Sequence, residues 1–109
     1  MPIRRAALLS LPRSSQEPTT AIEAHAWFPL GGSRAVIGRR GESDIMLASS
    51  AVSGVHASLM LIEGGGWLLR DEHSTNGTFL NGQRVSSAPL TDGDIIQPCL
   101  SCNLVFLTI

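Results

Sequence analysis

The feature that most restricts how this chain can fold is its punctuation. From Gly31 onward, glycine or proline recurs at short intervals: Gly31-Gly32, Gly38, Gly41, Gly54, Gly64-Gly65-Gly66, Gly77, Asn81-Gly82, Pro89, Asp92-Gly93 and Pro98. In a helix interior glycine costs about 1 kcal/mol and proline about 3 kcal/mol relative to alanine. No apolar run with helical period lasts four turns between these breaks, so the intervening segments read as short strands. Strands are predicted over residues 3–11, 25–30, 34–39, 44–47, 55–63, 67–71, 78–80, 83–85, 94–97 and 103–109. Gly31-Gly32-Ser33 reads as a hairpin turn, and Asn81-Gly82 as a type I′ turn, which needs positive φ at both positions. Many short strands without helical crossovers imply an all-β sandwich. The apolar first and last strands are expected to pair with each other.

The 109 residues are 43% hydrophobic, enough for one core. The expected organisation is a single domain, with residues 1–24 forming the first strand and a polar loop, and 25–109 the main body. Net charge is −1 and every cation is an arginine. Such a balance argues against a nucleic-acid binder, whose affinity comes from clustered positive charge; it leaves only a local anion site of one or two arginines. After Arg4-Arg5 the apolar run reaches only Leu11 before Pro12, too short for a secretory leader. No stretch is long enough to cross a membrane as a helix. The two cysteines make no disulfide framework, and the expected compartment is the cytoplasm or, alternatively, the nucleus.

Side chains with chemical potential lie between strands, where binding groups usually sit. Gly38-Arg39 ends one strand. Residues 49–56 and 73–78 form two loops rich in hydroxyl and amide groups. If the three segments converge on one edge of the sandwich, they offer a guanidinium, several hydroxyls, a carboxamide and backbone N–H groups. That donor set suits a tetrahedral dianion. No nucleophile–base pair accompanies it.

In order and spacing, Gly38-Arg39, Val52-Ser53-x-x-His56-Ala57, Trp67, Asp71-x-x-Ser74-Thr75-Asn76-Gly77-Thr78-x-x-Asn81-Gly82 and Leu90-x-x-Gly93-Asp94 resemble the signature of the forkhead-associated (FHA) domain. The resemblance covers about residues 34–109. It implies an eleven-stranded β-sandwich, without catalysis or cofactor, that binds a phosphothreonine-containing protein or peptide through loops at one edge. It implies no nucleic-acid, membrane or small-molecule partner. By the same resemblance, Arg39 and Ser53 contact the phosphate, Thr75 adds to that contact, and Asn76 holds the peptide backbone. His56 braces the loop, while Gly38, Gly77 and Asn81-Gly82 shape turns. Gly54 is a departure, because many family members carry Arg, Lys or Asn there. One contact is then missing, unless Arg40 supplies it.

Several other readings stand beside this one. Gly54 leaves open a degenerate module that binds an unphosphorylated partner or its own N-terminal loop. Thr19 and Thr20 are candidates for phosphorylation and capture by the same site. Cys99-x-x-Cys102 has no second pair for a structural zinc and lies after Pro98 in an expected turn, so it reads as two thiols without metal. Trp27 and Trp67 read as core or half-buried strand residues.

Overall fold

The computed structural model describes residues 6–11, 26–100 and 102–108. Among these there is no helix, and eleven strands form two sheets. They are β1 (Ala6–Leu11), β2 (Ala26–Leu30), β3 (Arg34–Gly38), β4 (Ile45–Met46), β5 (Ala57–Leu61), β6 (Trp67–Asp71), β7 (Thr78–Leu80), β8 (Gln83–Val85), β9 (Ser87–Pro89), β10 (Ile95–Cys99) and β11 (Cys102–Thr108). One sheet has the order β2-β1-β11-β10-β7-β8, the other β4-β3-β5-β6-β9. The first and last strands pair antiparallel from Ala6↔Thr108 to Leu11↔Asn103, as their apolar character predicts.

Alternation along the strands builds the core. Ala35 and Ile37 on β3, Trp67 and Leu69 on β6, and Leu104 and Phe106 on β11 are buried, with more exposed neighbours between them. Together with Ala6, Leu8, Ile45, Ala57, Leu59 and Ile96 they form one cluster between the sheets. Period-two patterning on both inner faces is what a two-layer sandwich requires. The β3–β4 pair is parallel, with Ile37 opposite Ile45 and Gly38 opposite Met46, which carries the end of β3 beside the loops that follow β4.

Several expectations change. Gly31-Gly32-Ser33 is no hairpin turn: β2 and β3 belong to different sheets, so this segment crosses the sandwich from one layer to the other. The expected strand over 55–63 shortens to Ala57–Leu61, because residues up to His56 belong to the preceding loop and the turn around Gly64-Gly65-Gly66 takes its far end. Pro98 lies inside β10 rather than in a turn; the β10–β11 register shifts between Ile96 and Cys99, and such an irregularity tolerates a residue that lacks an N–H. Cys99 and Cys102 are therefore cross-strand partners at the hairpin end. Trp67 is buried, but Trp27, on edge strand β2, is exposed. At Asn81-Gly82 both residues have positive φ (50° and 88°), the geometry predicted for that turn. Thr19 and Thr20 lie outside the described residues.

Candidate functional site

Three connections meet at one rim: residues 39–44 after β3, 47–56 between β4 and β5, and 72–77 between β6 and β7. Backbone bonds tie the first two. The Arg39 N–H donates to the Ser53 carbonyl at 3.0 Å and the Arg40 N–H to the Gly54 carbonyl at 3.2 Å. This approach is possible because position 38 has no side chain. A Cβ on Gly38 would sit 2.1 Å from the Gly54 carbonyl oxygen and 2.9 Å from Ser43 Oγ. Gly38 is not among the glycines with positive φ, so it is needed for space rather than to shape a turn.

His56 joins the second and third loops and is fully buried. Its Nδ1 accepts the Ser53 N–H at 3.0 Å, and its Nε2 lies 2.9 Å from the Gly77 carbonyl. Since Nδ1 accepts, Nε2 carries the proton and donates it to that carbonyl. Both ring nitrogens are thereby committed to backbone groups of the two loops.

Asp71, at the end of β6, organises the third loop from below. Its carboxylate accepts the Ser74 N–H at 3.2 Å, the Ser74 hydroxyl at 2.5 Å and the Thr78 hydroxyl at 2.7 Å. Ser74 Oγ in turn accepts the Gly77 N–H at 3.0 Å. Burial works to raise the Asp71 pKa, but the bonds from Ser74 and Thr78 prevail and hold it below the ordinary value. The loop also contains His73 in the left-handed region at φ 56° and Gly77 at φ 92°. The Asp71–Ser74–Thr78 spacing is visible in the sequence, but nothing there indicates that one carboxylate gathers both hydroxyls.

Above this frame stand the solvent-facing groups. Exposed Arg39 is steered by its own Nε, which donates to the Val52 carbonyl at 3.0 Å. Its Nη groups make no hydrogen bond among the described residues. Ser53 Oγ accepts the Thr75 N–H at 3.0 Å and lies 3.5 Å from Thr75 Oγ1. Asn76 Nδ2 donates to the Ala51 carbonyl at 3.0 Å. Arg39, Ser53, Gly54, Thr75 and Asn76 thus share one rim, braced by Gly38, His56 and Gly77. Asn81 is elsewhere: its Oδ1 accepts the Ile95 N–H at 2.9 Å and its Nδ2 donates to Asp94 at 3.0 Å. It secures the β7–β8 turn to β10 at the far end of β7.

Next to Asn76 an open, mainly apolar recess of about 390 Å³ is lined by Ala51, Asn76, Phe79, Cys99 and Leu100. Chemically, the rim offers a planar cationic fork and two hydroxyls a few ångströms apart, which suits an oxyanion. Among the described residues, no group of three or more His, Cys, Asp or Glu side chains is placed to hold a metal ion.

The FHA domain family model matches residues 35–97, more than half of the chain, and takes in all three loops. This chain belongs to the FHA domain family. Individual FHA relatives agree. The chain is 45% identical over 71 residues to the glycogen accumulation regulator GarA of Mycolicibacterium smegmatis, covering 65% of this chain and 44% of that protein. It is also 45% identical over 60 residues to the ABC transporter ATP-binding/permease protein Rv1747 of Mycobacterium tuberculosis, covering 55% of this chain and 7% of that one. It thus spans less than half the length of either relative. The structure of Mycobacterium tuberculosis EmbR in complex with a low-affinity phosphopeptide superimposes with a TM-score of 0.74 at 27% identity, over 93% of this chain and 24% of that one.

Proposed function

We propose that this FHA domain binds phosphothreonine-containing proteins or peptides through the rim formed by Arg39, Ser53, Gly54, Thr75 and Asn76. The observation that carries the reading is the junction itself: Ser53 and Thr75 joined through Oγ and N–H, beside an exposed arginine whose Nε is already held by Val52. Two homologous features add support, namely the family match across the three loops and the phosphopeptide bound to the related EmbR.

In this reading the phosphate, carrying about −1.5 to −2 charges near pH 7, accepts from the Arg39 Nη groups and from the Ser53 and Thr75 hydroxyls. The Asn76 carboxamide engages the peptide backbone beside the phosphoresidue, exchanging or sharing its bond to Ala51. The apolar recess beyond Asn76 receives a peptide side chain. His56 has both nitrogens engaged with backbone, so it positions loops and transfers no proton. The domain acts as a non-catalytic interaction module, in the cytoplasm or nucleus, with no nucleic-acid, membrane or small-molecule partner.

The test is a binding isotherm, by fluorescence anisotropy, of a threonine peptide in phosphorylated and unphosphorylated forms. Wild type should bind the phosphorylated form selectively. Arg39→Ala should lose at least about tenfold, since a charge-assisted hydrogen bond nets roughly 1.5–3 kcal/mol. Equal binding of both peptide forms would instead favour a module for unphosphorylated partners.

A further inference from the structure

The side chain after Ser53 is missing, because position 54 is glycine. The space it would fill is occupied. A Cβ built on Gly54 would lie 2.9 Å from Arg40 Nε, 3.2 Å from Cγ and 3.5 Å from Cδ. Arg40 therefore lies across Gly54, one residue from Ser53. Its backbone is fixed there as well, through its N–H to the Gly54 carbonyl and its own carbonyl, which accepts the Ser43 N–H at 3.0 Å. We propose that Arg40 is a second cation of the phosphate site and that glycine at position 54 is the residue that admits it. This inference rests on the phosphopeptide reading above.

The competing bond is weak. Arg40 Nη1 approaches Glu42 Oε1 at 3.9 Å, with both side chains largely exposed, and such pairs contribute little. A phosphate dianion is a stronger acceptor for the same guanidinium. Arg39 and Arg40 then reach the anion from adjacent backbone positions, one past Val52 and the other over Gly54. The arrangement makes Arg40 and any side chain at position 54 mutually exclusive. That exclusion separates a local contact from a mere effect of net charge.

Three variants and a control form the experiment, using a phosphothreonine peptide with uncharged flanking residues. Arg40→Ala should weaken binding roughly fivefold, between the values for an exposed ion pair and a full charge-assisted bond. Gly54→Ala keeps every charge but places a methyl where Arg40 lies, and should weaken binding by a similar factor. It should fold normally, because Gly54 is not among the positive-φ glycines and the new contact is with a flexible side chain; a thermal melt checks this. The double variant should be no weaker than either single one, since the two changes remove one interaction. Arg70→Ala, on β6 outside the three loops, should match wild type. Wild-type affinity in Arg40→Ala, or losses that multiply in the double variant, would overturn the proposal. If wild type itself fails to distinguish the phosphorylated peptide, the failure lies in the phosphopeptide reading instead.

Discussion

Replacing Gly38 by alanine adds one methyl group and should dismantle the rim. The new Cβ would stand 2.1 Å from the Gly54 carbonyl oxygen, whereas real Cβ contacts lie beyond 3.0 Å. The obstacle is backbone, so no side-chain rotation relieves it. The 53–54 segment must retreat, and the bonds from Arg39 N–H and Arg40 N–H to Ser53 and Gly54 are the ones that stretch. Two such bonds net about 2 kcal/mol, and steric accommodation adds about 1–2 kcal/mol. The expected loss is about 3–4 kcal/mol, and at about 4–8 °C per kcal/mol for a domain near this size, Tm should fall by about 12–30 °C. Phosphopeptide affinity should fall with it even well below Tm, because Ser53 leaves its position beside Thr75. Urea unfolding and thermal melts, with peptide titration at low temperature, measure both effects. A Gly38→Ala variant with wild-type Tm and wild-type affinity would refute the claim that glycine is required here for space.

Three further outcomes follow from the same geometry. His56→Phe leaves the Ser53 N–H and the Gly77 carbonyl without their partner, so stability should fall by about 2 kcal/mol or more and affinity should fall with it; urea midpoints compared with peptide titration check this. Because the folded pKa of Asp71 is lowered, its contribution is complete above the unfolded carboxyl value of about 3.9 and is lost as pH falls through the lower folded value. Acid unfolding of Asp71→Asn should therefore lack that part of the pH dependence, and an unchanged acid limb would contradict the assignment. Finally, peptide affinity should weaken as pH drops below about 6, where the phosphate gains a proton, and with added salt; affinity constant between pH 7.5 and 5 would tell against an anion-centred site.

Much of this was legible in the sequence because it depends on short-range rules. The type I′ turn at Asn81-Gly82 follows from the residues that tolerate positive φ, and the pairing of β1 with β11 follows from the apolar character of the first and last strands. What escaped depends on distant groups meeting. Gly31-Gly32-Ser33 has the composition of a hairpin turn, and only the pairing of β2 with β1 reveals it as a crossing between sheets. β9 is a three-residue edge strand ending in Pro89, with too little pattern to detect. At the rim, the sequence supplied Arg39, Ser53, Thr75 and Asn76 as a resemblance. It could not show that His56 links Ser53 to Gly77, or that Arg40 fills the space left by Gly54. Both facts require coordinates for segments about twenty or fourteen residues apart in the chain.

The most direct measurement is a map of backbone and arginine side-chain NMR shifts during titration with a phosphothreonine peptide. The largest changes are expected at Ser53, Gly54, Thr75 and Asn76 and at the Arg39 guanidinium, with much smaller ones for the dephosphorylated peptide. Changes centred instead on the cleft lined by Trp27, Leu30, Arg34 and Asp44, with the three loops silent, would contradict the proposed site.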